Sequence, residues 1–241
     1  MIIAIPSMNR SKMLTRCVNQ VKLTSPQSKI YVIEQQSKTE LEVDQYFHYD
    51  EPLGVGKARS IITEKIHKDH PESIIIHLDD NTFIGEGAID KVCKTMKKYN
   101  KFAWIGALNA FKVWKIASGM TKEEAESIVH FAPHIGACFA AINPEFISEH
   151  GNFRKDFIVR EDAEMCAKAW AKGWYVGMID VNINHTREKG RNEDHPFHPK
   201  SKEFIAANGK IASLYPDHFK TTKGNKQLWR RFKFPDETFV I

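Results

Sequence analysis

Ser73-Ile74-Ile75-Ile76-His77-Leu78-Asp79-Asp80-Asn81 carries an apolar run, broken only by His77, straight into two adjacent carboxylates and an amide. The run is too continuous for a half-exposed strand and reads as a short buried one. Like charges at the lip of a core raise each other's pKa unless a cation sits between them. A divalent ion such as Mg or Mn, which favours oxygen ligands, resolves that conflict. A polar strand end opening into a loop explains the same residues, and this stretch alone leaves both readings open.

The surrounding chain has 241 residues, enough for one large domain or two small ones with a substantial core. Apolar residues make up 42% and charged residues 27%, the balance of a soluble globular protein. Met1 to Ile5 is too short for a signal core and is stopped by Pro6, and no apolar run approaches a membrane span. Cys17, Cys93, Cys138 and Cys166 are widely spaced and read as buried free thiols in a reducing compartment, so the expected location is cytoplasmic. The net charge of +5 is unevenly placed: residues 186–241 hold 12 Lys/Arg against 7 Asp/Glu, and the rest of the chain balances. A basic, aromatic end of this kind meets a polyanion or simply forms a solvated surface.

Ile2–Ile5 reads as a strand, Pro6 to Arg10 as a turn, and Met13, Leu14, Cys17, Val18 and Val21 as a helix closed by Pro26. Ile30–Ile33 is the next strand, ending at Glu34. Strand, helix, strand predicts a parallel βαβ unit and an α/β fold. Gly54-Val55-Gly56-Lys57-Ala58-Arg59 gives a tight entry into a helix; it lacks the Lys-Ser/Thr ending of a P-loop, and a phosphate site there competes with a plain turn. Further on, Ile89 to Met96 has helical spacing, and Phe102–Ala107 reads as a strand. Thr121 to Glu124 is a capping-box pattern that predicts a helix through about Val129. Pro133 to Ile142 reads as a small-residue loop, including Gly136, entering a buried strand. Glu161 and Asp162 open a helix that stops at Gly173, with ordinary dipole stabilisation as the bland reading of those acids. Trp174 to Asp180 is a strand, Val181 to His185 alternates apolar and polar, and residues 200–215 form a helix.

In their order along residues 1–190, these features resemble the GT-A nucleotide-sugar glycosyltransferases, particularly the inverting family-2 type. The resemblance implies a Rossmann-like, mostly parallel central sheet flanked by helices over residues 1–190. A basic helical extension over 191–241 would pack on it. It also implies roles by position. Pro6, Ser7, Arg10, Arg59, Asp79, Asn81 and Gly136 would bind the nucleotide-sugar. Glu34 stands where the family usually has an Asp that contacts the base or ribose. Asp79-Asp80-Asn81 matches the Asp-x-Asp metal motif with Asn in place of the last Asp, and His185 matches a late metal-ligand histidine. Asp79, Asp80 and His185 are thus the expected ligands of Mn or Mg, with a UDP-sugar as co-substrate. Glu161-Asp162 matches the Glu-Asp motif whose Asp is the general base.

Displacement at an anomeric carbon needs a base on the acceptor hydroxyl, charge stabilisation on the leaving diphosphate, and alignment of the two. Those parts meet each need. The length and the basic aromatic end are similar to phage-encoded, TET-associated enzymes that place sugar on hydroxymethylated pyrimidines in DNA. That resemblance implies a duplex DNA acceptor in the host cytoplasm, phosphate contacts, and stacking of a flipped base on Trp229, Trp174 or Phe197. A glycan, protein or small-molecule acceptor would use the same core, and a non-catalytic GT-A-like nucleic-acid-binding protein is the alternative of another class. The identity of the sugar and the oligomeric state are not encoded in any motif.

Overall fold

The computed structural model describes residues 1–108, 126–186, 201–221 and 234–241, with the backbone alone for 228–230. The strands among the described residues are β1 Ile2–Met8, β2 Lys29–Gln35, β3 Gln45–Tyr49, β4 Ile75–Leu78, β5 Thr82–Ile84, β6 Phe102–Ala107, β7 Ile128–Phe131, β8 Phe139–Ile142, β9 Tyr175–Ile179, β10 Ile183–His185, β11 Phe219–Thr221, β12 Leu228–Arg230 and β13 Phe239–Val240. The helices among the described residues are α1 Ser11–Thr24, α2 Val55–Asp69, α3 Ala88–Lys98, α4 Pro144–His150, α5 Glu161–Ala171 and α6 Lys202–Leu214.

Nine strands form one sheet in the order β13-β7-β9-β6-β8-β4-β1-β2-β3. The pairings make β7 and β8 run against the other seven. The opening βαβ unit is the parallel β1–β2 pair crossed by α1. Along β1, Ile3 and Ile5 enter one core and Ile2 and Ala4 the other, the period-two alternation of a sheet covered on both faces. One face is closed by α1 through Leu14, Cys17, Val18 and Val21 and by α3 through Ile89, Val92 and Met96. The other is closed by α2 through Ala58, Ile62 and Ile66 and by α5 through Met165, Cys166 and Ala169. Each buried isoleucine contributes about 1.5–3 kcal/mol by leaving water. All four cysteines are buried free thiols.

β4 lies inside this sheet, its four residues wholly buried between β1 and β8. Its carboxyl end therefore delivers Asp79 and Asp80 to the edge of the core. β1 pairs with β4 only through Ala4 but with β2 through Met8, so the strand extends past Pro6. A proline is tolerated there because that side of the ladder has already ended. β5 and β10 form a separate antiparallel pair with His185 opposite Thr82, which brings the late histidine back to the Asp79 corner.

Some elements differ from what the pattern predicts. The capping-box helix lies in its first part outside the described residues, and Ile128–Phe131 is strand β7. Pairing with β9 and β13 and the burial of Val129 outweigh the local helix signal. The short helix α4, with Asn143 capping Glu145 N–H at 2.9 Å and Pro144 at its first position, was not read from the pattern.

The end of the chain packs on the rest. Ala207 and Ile211 of α6 and Phe219 bury against Phe157, Val159, Ala163 and Ala167. Tyr215 donates to Glu164 at 2.6 Å and Lys210 to Asp156 at 2.6 Å. β13 joins the main sheet beside β7, with Phe239 against Phe102, Tyr99 and Tyr175. The expected boundary at residue 190 lies outside the described residues. No helix among the described residues is long and apolar enough to cross a membrane.

Candidate active site

A cavity of about 370 Å³ opens at the carboxyl ends of β1 and β4, where ligands bind in open α/β sheets. It is lined by Pro6, Ser7 and Arg10 after β1, by Asp79, Asp80 and Asn81 after β4, by Arg59, by Gly136, by Glu161 and Asp162 at the start of α5, and by His185. Residues far apart in the sequence, from Pro6 to His185, thus meet in one place. Of the catalytic, nucleotide-sugar and metal candidates named from the sequence, all but Glu34 line it.

Glu34 is fully buried on β2, and its neighbours account for its charge. Its carboxylate accepts from Ser37 Oγ at 2.5 Å, Tyr46 OH at 2.5 Å, Thr39 Oγ1 at 2.8 Å, Thr39 N–H at 2.9 Å and Ser11 Oγ at 3.3 Å. Burial alone would raise its pKa, but the bonds from Ser37, Tyr46 and Thr39 hold it below the ordinary value. The expectation that Glu34 reads a base or ribose therefore meets a carboxylate already saturated by its own chain. The next residue, Gln35, lines the cavity instead.

The three residues after β4 have three different surroundings. Asp79 is partly exposed; its Oδ1 accepts from Arg59 at 2.5 Å and its Oδ2 lies 3.9 Å from His185 Nε2. Asp80 is buried, with Oδ2 accepting from Ser7 Oγ at 2.7 Å and Oδ1 paired with Arg10 at 3.2 Å. Burial raises its pKa, opposed by Ser7 and Arg10. Both oxygens of this expected metal ligand are thus engaged in tying the β1 turn to β4. Asn81 donates from Nδ2 to the Thr186 carbonyl at 2.7 Å, and Thr186 N–H donates back to the Asn81 carbonyl at 3.0 Å. An Asp at this position could not donate to Thr186, which gives the departure from Asp-x-Asp a physical reason: the amide anchors the end of β10, and with it His185.

Among the described residues no three His, Cys, Asp or Glu side chains converge as a complete metal cage. Asp79 Oδ2 and His185 Nε2 do fit an ion between them, since a bond of ~2.1 Å to each spans their 3.9 Å separation. A hard or borderline ion held by one carboxylate and one imidazole keeps its remaining positions for water and phosphate oxygens.

Arg59 joins the halves of the site. It is buried, pairs with Asp79 and with Glu161, and reaches the Ala137 carbonyl at 3.5 Å. Burial would lower its pKa, but Asp79 and Glu161 raise it, so the guanidinium stays charged. Gly56 makes this approach possible: a Cβ there would stand 2.0 Å from the Phe157 carbonyl oxygen, so only glycine lets α2 meet the segment leading to Glu161. Gly54, at φ +78°, supplies the entry turn. Burial pushes the Glu161 carboxyl up to about 7, against the pull of Arg59. Asp162 is half-buried, faces the cavity, and accepts at 2.7 Å from Ala163 N–H.

Several lining residues carry no motif of their own. Arg160 and Phe204 line the cavity near Asp162, and Phe204 comes from α6, over forty residues away. Of the aromatic residues proposed to stack a base, Trp174 does not line the cavity and donates instead to His150 at 3.1 Å against Phe146. Phe197 and the Trp229 side chain lie outside the described residues. So does the whole of the basic excess: the described part of the extension holds Lys202, Lys210 and Lys220 against Glu203, Asp217, Asp236 and Glu237.

No protein-family model matches the sequence, and no curated protein matches it significantly. Solved structures match the fold. S. aureus TarS residues 1–349 in complex with UDP-GlcNAc match with a TM-score of 0.63 and 12% identity, covering 93% of this chain and 68% of that one. GalNAc-T7 with UDP, GalNAc and Mn2+ matches with 0.66 and 15%, covering 90% and 49%. The mannosyltransferase PcManGT from Pyrobaculum calidifontis, in complex with GDP-Man and Mn2+, matches with 0.55 and 11%, covering 88% and 60%. The chain spans only 39% of the longer TarS structure. At these identities the likeness is one of architecture: a large, mostly parallel sheet flanked by helices, the GT-A fold of nucleotide-sugar glycosyltransferases.

Proposed function

We propose that this protein is a metal-dependent, inverting glycosyltransferase that moves a sugar from a UDP-sugar to a hydroxyl acceptor. The observation that carries the reading is the meeting of Asp162 with the Asp79–His185 pair in one cavity. Asp162, in the first turn of α5, is the base that takes the acceptor proton. Asp79 and His185 hold Mn or Mg, which when bound offsets the charge growing on the leaving diphosphate. Pro6, Ser7, Arg10 and Gly136 shape the nucleotide-sugar pocket. Arg59 fixes Asp79 relative to Glu161, and Glu161, through that pair, supports the α5 end of the site. Asp80 and Asn81 position the turn and the histidine. Two of the three solved neighbours named above carry UDP, which favours a UDP-linked donor.

For the acceptor we infer a hydroxymethylated pyrimidine in phage DNA, reached from the host cytoplasm. Support comes from the resemblance to DNA-modifying enzymes and from the basic excess of residues 186–241. In this reading residues 1–190 are the transferase domain and 191–241 the DNA-facing extension.

Incubating hydroxymethylcytosine DNA with a panel of nucleotide sugars and Mn2+, followed by mass spectrometry of the DNA, tests both levels. A mass gain equal to one sugar is the expected result. Hydrolysis of the donor without transfer to DNA points to another acceptor; no turnover and no metal-dependent UDP binding removes the enzyme reading. Asp162→Asn is expected to lower transfer about 100- to 10,000-fold while UDP affinity stays within a few-fold of wild type. Retained transfer would remove Asp162 as the base.

A further inference from the structure

We infer that Arg160 anchors the acceptor in this cavity, and that the acceptor carries an oxyanion close to the hydroxyl that receives the sugar. The inference rests on the donor-site reading above and adds to it the chemistry of the second substrate.

Arg160 lines the cavity two residues before Asp162. Two contacts, both from α6, fix its guanidinium. Nε donates to Asn208 Oδ1 at 3.1 Å, and Cζ lies 4.9 Å from the centroid of the Phe204 ring. Asn208 is itself buried, so this bond is held from within the core. The remaining edge, Nη1 and Nη2, has no partner among the described residues. The two arginines nearest to it in function are already committed: Arg59 to Asp79 and Glu161, and Arg10 to Asp80. Among the described arginines that line the cavity, Arg160 is therefore the one whose fork of donors is left without a partner.

Its position decides which substrate it meets. In an inverting displacement the base lies on the face opposite the leaving diphosphate. The Asp79–His185 corner belongs to the diphosphate, and Asp162 with its neighbours to the acceptor. A planar guanidinium with two parallel N–H groups matches a carboxylate or phosphate bidentately. The cation–π contact with Phe204 and the bond to Asn208 restrain the guanidinium before the ligand arrives, so less side-chain freedom is lost on binding. This also gives α6 a function: it supplies the ring and the amide that aim Arg160. A phosphodiester beside a flipped nucleotide would satisfy the same fork, as would the phosphate or carboxylate of a small acceptor.

The test uses the full-length protein saturated with UDP and Mn2+, so that the donor end is filled. Glycerol 1-phosphate, glycerate and glycerol are titrated in parallel and followed by calorimetry. The first two place a hydroxyl beside a phosphate or a carboxylate; the third has hydroxyls only. At least one anionic probe is expected to bind where glycerol does not, and the stronger of the two names the oxyanion. Arg160→Gln should weaken that probe tenfold or more, Arg160→Lys less, and Phe204→Ala by several-fold. UDP–Mn2+ affinity and melting temperature, measured on the same samples, separate this loss from misfolding. Equal probe affinity in wild type and Arg160→Gln, or no anionic probe binding to donor-loaded protein, overturns the inference. If UDP with Mn2+ does not bind, the donor reading fails on its own, and the probes titrated into unliganded protein still decide the role of Arg160.

Discussion

Replacing Glu34 with Gln separates a structural carboxylate from a substrate-reading one. Oε1 accepts from the Ser37, Thr39 and Ser11 hydroxyls, and Oε2 from Thr39 N–H and Tyr46 OH. A glutamine keeps its oxygen on the Thr39 N–H side, because a backbone donor cannot turn. Its NH2 then faces three hydroxyls that must rotate to accept. The charge assistance is lost throughout, and a hydrogen bond to a charged group contributes about 1.5–3 kcal/mol. A loss of about that size in a chain of this length lowers the melting temperature by about 3–12 °C. Because Glu34 does not line the cavity, UDP–metal affinity should move less than threefold. The pH dependence has a definite sign. Burial alone would raise the Glu34 pKa, but its hydrogen bonds depress it in the folded state below the ordinary 4.5. Its contribution is thus present above pH 4.5 and fades as the pH falls through the folded value. Wild type and Glu34→Gln should converge in melting temperature on acidification below that point. Thermal melts from pH 3 to 8, with UDP titrations at pH 7, measure both effects. A variant that melts like wild type yet loses tenfold or more in UDP affinity would refute the argument and return Glu34 to the nucleotide.

Two further perturbations probe the corner itself. His185→Ala should leave the thermal stabilisation by UDP alone in place and abolish the extra stabilisation that Mn2+ adds in wild type; an undiminished metal-dependent shift would take His185 out of the metal site. Gly56→Ala forces a methyl against the Phe157 carbonyl oxygen, a backbone atom that cannot rotate away. Overpacking of this kind costs about 1–3 kcal/mol. It should also displace the segment carrying Glu161 and Asp162, so transfer falls together with the melting temperature; a variant matching wild type in both would show that the α2–α5 approach has slack.

The legible parts of this molecule were those in which one short stretch decides its own environment. The continuous run before Asp79 had to be a buried strand, and Leu14, Cys17, Val18 and Val21 had to face a core, because few other arrangements remove that much apolar surface from water. The joint order of motifs carried the sheet architecture further than periodicity could. What stayed hidden was set by partners far away in sequence. Whether Asp80 faces an ion or a hydroxyl depends on Ser7 and Arg10, seventy or more residues earlier. Glu34 looked available because the residues that saturate it lie in a loop and in β3, neither of which has a strong pattern. Asn81 looked like a weakened metal ligand until Thr186 gave its amide a task that a carboxylate cannot perform. The two carboxylates of the opening pair are therefore held differently. Asp79 faces His185 across the cavity, Asp80 holds the β1 turn, and Asn81 holds the strand that returns His185. One three-residue motif divides into a candidate ligand and the two supports that aim it, so the charge that Asn81 lacks relative to an Asp is a condition of placing His185 rather than a deficit of the site.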